Sequence, residues 1–247
     1  MTFCIGIRVD GGVVALSDTR IVRGSQISTK AKLSTLTNGG HSAVVMTSGL
    51  RSVRDKVMAR LQDRLDHTPL RRMHELATAY GDELRVVRDE DGEALQEGGF
   101  TFNPHAIIGG RLAGDDEPQL FHIYPEGNWV EATVDEPAYI IGRTSYGKPI
   151  LDRLLAPDTT LTHAVTLAFL AFDATRTSAS DVDFPIDVAV LSRDGATFRS
   201  RRFEESDLAD QHDTWNRLLR EAFAAMPTGW ARALANPEPT SSDEEDP

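Results

Sequence analysis

The first fifty residues constrain the fold more than any other stretch. Short runs with strand character follow one another closely: Phe3 to Arg8 (FCIGIR), Gly12 to Asp18 (GVVALSD), Lys32 to Leu36, and HSAVVMTS at 41–48. V-D-G-G joins the first pair and Asn38-Gly39-Gly40 joins the last, both of them turn chemistry. A parallel pair needs a crossover of a dozen or more residues, usually a helix, so connections this short favour antiparallel pairing. The stretch is expected to fold as an antiparallel meander.

Two helices are expected next. Leu50, Val53, Val57, Leu61 and Leu65 recur at helical spacing, as do Met73, Leu76, Tyr80, Leu84 and Val87. A second β block follows at 105–110, 119–124, 128–132 and 138–142, then helices at 146–155 and 160–175 and strands at 186–192 and 197–203. An amphipathic helix over 206–225 is expected to turn Trp215, Leu218, Leu219 and Phe223 inward. This order does not alternate as βαβ units do. It fits an α+β fold in which two antiparallel sheets pack together between helix layers. No linker divides the body, so a single domain is expected over 1–235. NPEPTSSDEEDP at 236–247 is Pro-, Ser- and acid-rich and reads as a disordered acidic tail.

Charge and motif content exclude several functions. A formal net charge of −12 argues against nucleic acid or an anionic membrane as partner, since either needs a basic face. Cys4 is the only cysteine, which rules out an intramolecular disulfide and suits a reducing compartment; in a strand it reads as a small buried hydrophobe. The N-terminus has no basic region followed by an apolar run, and no stretch approaches the roughly 20 apolar residues of a membrane span. A cytoplasmic, soluble protein is expected. No G-x-x-x-x-G-K-[ST], strand-linked G-x-G-x-x-G or H-E-x-x-H is present, so neither a cofactor nor a metal is expected. GRTSYG at 142–147 brings Ser145 near a nucleophile-elbow pattern, but Arg143 stands where G-x-S-x-G requires glycine.

The start of the chain then carries the chemistry. Removal of Met1, which aminopeptidases perform readily before a small residue, would make Thr2 the first residue. Thr2 would then hold a hydroxyl and a free α-amine together. An α-amine titrates near about 8, so at neutral pH a useful fraction can accept the hydroxyl proton. Nucleophile and base would come from one residue.

Such a site needs a cation beside the hydroxyl, a carboxylate holding that cation, and backbone N–H groups facing the developing oxyanion. Asp18 ends the strand that pairs with the Thr2 strand, so the hairpin returns it to the chain start. Lys32 heads the next strand. Ser48-Gly49 ends the one after, where a glycine lets backbone amides approach a substrate closely. On this reading all three are expected to gather at the Thr2 end of the meander.

At this point the chain resembles a known family. T-F-C-I-G-I, S-D-T-R, I-S-T-K-A-K-L and T-S-G-L, in that order, look like the start of a proteasome β-type subunit, and more closely like the bacterial Anbu (ancestral β-subunit) branch. IYPEGNWVEAT, YIIGRTSYGKPILDR and FDATRTSASDVDFPIDVAVL match that branch too, so the resemblance covers about 2–204. It implies the N-terminal-nucleophile hydrolase fold, a four-layer αββα sandwich. It implies Thr2 as nucleophile, Asp18 and Lys32 as the adjacent ion pair, and Gly49 as oxyanion donor. Lys32 is preferred to Lys30 because it precedes Leu33, as the family's lysine precedes an aliphatic residue. Asp173 fits the family's second aspartate, supporting the threonine amine through Thr177 or Ser178.

Two departures stand out. Proteasome β-subunits carry a serine where this chain has Arg143, and no long propeptide precedes Thr2, so Met1 removal replaces self-cleavage. The expected function is a threonine-type peptidase or amide hydrolase acting through an acyl-enzyme inside a homo-oligomeric ring or spiral. Its substrate would be a peptide or unfolded polypeptide. The alternatives are a non-catalytic assembly protein and a small-molecule amidase of the same superfamily. Met58 and Ala77, on secondary apolar lines of the helices at 50–65 and 70–87, mark the expected subunit contacts.

Overall fold

A computed structural model describes residues 2–23 and 26–235. Met1 and the acidic segment 236–247 lie outside the described residues, and with them the expectations of Met1 removal and of a disordered tail. The described residues fall into two compact units, one ending at Ser206 and the other beginning at Asp207.

In the first unit, β1 (Phe3–Val9) and β2 (Gly12–Asp18) form the expected hairpin. A second hairpin follows, β3 (Arg20–Arg23) with β4 (Gln26–Thr29), which the sequence reading did not separate from the strand after it. Then come β5 (Leu33–Asn38), β6 (His41–Ser48), α1 (Arg51–His67) and α2 (Met73–Glu97). The remainder is β7 (His105–Gly110), β8 (Gln119–Ile123), β9 (Trp129–Glu131), β10 (Ala138–Gly142), α3 (Lys148–Leu154), α4 (Leu161–Ser178), β11 (Ile186–Ser192) and β12 (Arg199–Phe203).

The strands make two five-stranded antiparallel sheets, β10-β1-β2-β11-β12 and β5-β6-β7-β8-β9. Alternation along each strand decides which layer each side chain joins. Val44 and Met46 of β6 and Ile107 of β7 meet Cys4, Val13, Ala15 and Ala189 between the sheets. Ala43, Val45, Ala106 and Ile108 face the other way, onto Val53, Val57 and Leu61 of α1 and Leu76, Tyr80 and Leu84 of α2. Helix α4 packs on β1 and β2, with α3 beside it. The result is the four-layer αββα sandwich of the N-terminal-nucleophile hydrolases. Ala77 is fully buried in this core, so it does not supply the surface line assigned to it above; Met58 packs against the core and is half-buried.

The second unit holds α5 (Ala209–Ala224) and α6 (Gly229–Ala235). Of the side chains expected to turn inward, Trp215 is half-buried, whereas Leu218, Leu219 and Phe223 are not covered. Leu218, Leu219, Met226, Trp230 and Leu234 are exposed, as is Phe223 at 80%. An amphipathic pattern says that a face is to be covered, not by what. No described helix is long and apolar enough to cross a membrane.

Candidate active site

The β1–β2 register sets the site. Cys4 lies opposite Ser17, which places Phe3 opposite Asp18, and the Phe3 backbone N–H donates to Asp18 Oδ1 at 2.8 Å. Lys32, immediately before β5, donates to the same oxygen at 2.7 Å. Asp18 is fully buried and the Lys32 side chain is 6% exposed. Burial pushes the Asp18 carboxyl above its usual range, opposed by the Lys32 charge and hydrogen bond, the Phe3 N–H and the N-terminal charge. A lysine held by a carboxylate is thus fixed beside the first strand, one residue from Thr2.

The other side of Thr2 is held by β10. Phe3 pairs with Gly142, and Arg143 N–H donates to the Thr2 carbonyl at 2.8 Å. Gly142 has a φ of 89°, and a Cβ there would come 1.9 Å from that carbonyl oxygen, so only glycine permits the approach. Gly49 also has a positive φ, 99°, where β6 turns toward α1 against Asn103 and Pro104. Thr2, Lys32, Gly49 and Gly142 line one cleft of about 830 Å³.

Not every expected residue arrives there. Asp173, on α4, accepts from Arg176 Nε at 3.0 Å, and the Thr177 hydroxyl donates to the Asp173 backbone carbonyl at 2.8 Å. Neither these two nor Ser178, the last residue of α4, is among the residues lining the cleft. Lys30 is exposed, whereas Lys32 is buried. Cys4 lies near the pair, and its thiol is pushed far up by burial, so it stays protonated.

The structure adds contacts that the sequence reading missed. Arg143, at the position expected of a serine, grips Asp181 with Nε at 3.3 Å and Nη2 at 3.0 Å. Burial raises the Asp181 carboxyl, but the Arg143 hydrogen bonds and the N-terminal charge outweigh it and hold the group below the usual range. His105 Nδ1 and His122 Nε2 stand 3.2 Å apart on the cleft wall. Burial, with the neighbouring His105, lowers His122 to about 4, so it is neutral at pH 7. Among the described residues no group of His, Cys, Asp and Glu is arranged to hold a metal ion.

Comparison with known proteins agrees with this fold. The family model "Proteasome subunit" matches residues 2–191. An Anbu (Gly-1) mutant from Hyphomicrobium sp. strain MC1 is 33% identical, with a TM-score of 0.83 over 91% of this chain and 98% of that one. Anbu from Yersinia bercovieri is 32% identical, also at 0.83, over 91% and 97%. A structure titled as the helical assembly of the Anbu complex from Pseudomonas aeruginosa is 29% identical, at 0.84, over 98% and 100%. Comparison with curated proteins gave no match. The chain belongs to the proteasome subunit family, in its β-like Anbu group.

Proposed function

We propose that this protein is an N-terminal threonine hydrolase that cleaves amide bonds once Met1 has been removed. The observation that carries the reading is the single oxygen of Asp18 that accepts both the Phe3 N–H and Lys32 Nζ, because it locks a buried cation at the head of β1, which Thr2 precedes. The Thr2 hydroxyl attacks the substrate carbonyl and gives its proton to its own α-amine. Lys32 lowers the cost of the alkoxide, and backbone N–H at Gly49 faces the developing oxyanion. Collapse of the tetrahedral adduct breaks the C–N bond, and the leaving amine takes the proton from the α-ammonium. Water, deprotonated by the α-amine, then hydrolyses the ester and restores Thr2.

The reading includes a homo-oligomer. It draws on the helical assembly named for the Pseudomonas aeruginosa relative. It also draws on the exposed apolar side chains of α5 and α6, which a second copy would cover. A buried lone thiol suits the cytosol, where such an assembly would restrict access to the cleft. The test is hydrolysis of peptide amides by the purified protein and by Thr2→Ala. Loss of turnover in the variant supports the reading, and equal turnover overturns it. A second reading, an assembly protein without turnover, draws on Arg143 at the family's serine position.

A further inference from the structure

The charges around the cleft do not follow those of the chain. The chain carries 38 acidic against 26 basic residues, yet the cleft lining includes Lys32, Arg51 and Arg54 and, among the described residues, no aspartate or glutamate. His105 and His122 add no charge near pH 7, since burial lowers both.

Partner by partner, the positive charge is not cancelled. Asp18 offsets Lys32. A single carboxylate, Asp55, serves both arginines: Arg51 Nε at 3.1 Å, and Arg54 through Nε at 2.9 Å and Nη2 at 2.6 Å. Among the described residues lining the cleft, cationic side chains therefore outnumber the carboxylates paired with them. Arg54 Nη1 also donates to the Ala31 carbonyl at 3.2 Å, which anchors its guanidinium beside the backbone of Lys32. The start of α1 adds to this. Gly49, Leu50 and Arg51 line the cleft, the N-cap Leu50 offers no capping side chain, and no acid sits in the first turn. Backbone N–H groups at a helix start present partial positive charge.

We propose that the cleft selects anionic substrates: polypeptides carrying a carboxylate side chain on the residue next to the amide to be cleaved. The inference rests on the reading of Thr2 as nucleophile. Arg51 and Arg54 share the one carboxylate of Asp55, and Arg54, with a side chain 16% exposed, is screened less than a surface arginine, so its charge reaches an anionic side chain in the cleft. The same cations disfavour a lysine at that position, and the wall formed by Ile21, Val22 and Ile140 accommodates the side-chain stem.

The experiment uses the full-length protein and labelled peptides identical but for Glu, Gln or Lys beside the scissile amide. The Glu peptide should exceed the Gln peptide in kcat/KM by roughly tenfold, the factor a partly screened charge-assisted contact supplies, with Lys lowest. Arg54→Gln should bring the Glu-to-Gln ratio to about one. Arg51→Gln should lower it as well, and serves if Arg54→Gln does not fold. Cleavage of Glu and Gln peptides at equal rates overturns the inference and leaves the hydrolase standing. If no peptide is cleaved, the hydrolase reading fails instead, and fluorescence anisotropy still decides the inference: tighter binding of the Glu peptide supports it, equal binding overturns it.

Discussion

Lys32 and Asp18 form a buried ion pair centred on one oxygen: Lys32 Nζ lies 2.7 Å from Asp18 Oδ1, which also takes the Phe3 N–H. Asp18 Oδ2 is buried and has no hydrogen-bond partner among the described residues. The carboxylate is therefore supported on one side only, and Lys32 supplies most of that support.

Lys32→Ala should accordingly harm both chemistry and fold. The sequence alone predicts a mild effect on folding, because a lysine at a strand head is ordinarily solvated. Burial of both partners reverses that expectation. Removing one partner of such a pair strands a charge and costs about 3–5 kcal/mol, and loss of the cation should cost on the order of 10²-fold or more in rate. Denaturant titration and peptide hydrolysis measure the two. Lys30→Ala, at an exposed position, should leave both unchanged; if it is inactive while Lys32→Ala is active, the wrong lysine has been chosen.

Gly142→Ala tests how Thr2 is positioned. The added Cβ would meet the Thr2 carbonyl oxygen at 1.9 Å in a backbone conformation that L residues rarely adopt. The clash is with backbone, so the chain start must move, and a displacement of about 1 Å at a nucleophile costs roughly 10²-fold. Wild-type hydrolysis by this variant would contradict the placement.

The pH dependence separates two groups of opposite sign. Asp18 has a carboxyl raised in the folded protein, so it contributes least at neutral pH and protonates above the usual carboxylate range. Protonation there releases Lys32, so hydrolysis should fall on the acid side at a pH above the ordinary Asp value of 3.8. His122 is lowered from 6.5 to about 4, so the unfolded chain takes up its proton first. Its contribution is intact above pH 6.5 and is lost as the pH falls toward 4. Melting temperatures of wild type and His122→Gln across that interval should show a shallower decline in the variant. Parallel curves would contradict the assignment.

How much of this was legible in the sequence depends on range. The β1–β2 turn and the two-residue alternation already return Asp18 to Thr2, because a hairpin register is a local property. The β3–β4 hairpin was not legible, since β4 is exposed along its length and shows no inward face. Arg143 and Asp181 meet across 38 residues, and nothing local to either announces the other. Asp173 was placed by resemblance, while the structure pairs it with Arg176 one helical turn away. The cationic lining was hidden because Arg51 and Arg54 read as the solvated face of a helix.

Assembly makes a separate prediction. Light scattering should give a mass well above the 27.1 kDa chain at micromolar concentration. Phe223→Glu should lower it, because a charge replaces an exposed apolar contact on α5, and deletion of 236–247 should not. A monomeric wild-type protein would contradict the oligomer.

The central claim is that Thr2 becomes a nucleophile whose own amine is its base. An electrophile that reacts only with a hydroxyl and a neighbouring free α-amine, followed by intact mass and peptide mapping, tests it directly. The account predicts a protein lacking Met1, one adduct per chain located on Thr2, and no adduct in Thr2→Ala. A chain that keeps Met1 and takes no label, or a label that persists in Thr2→Ala, would contradict it.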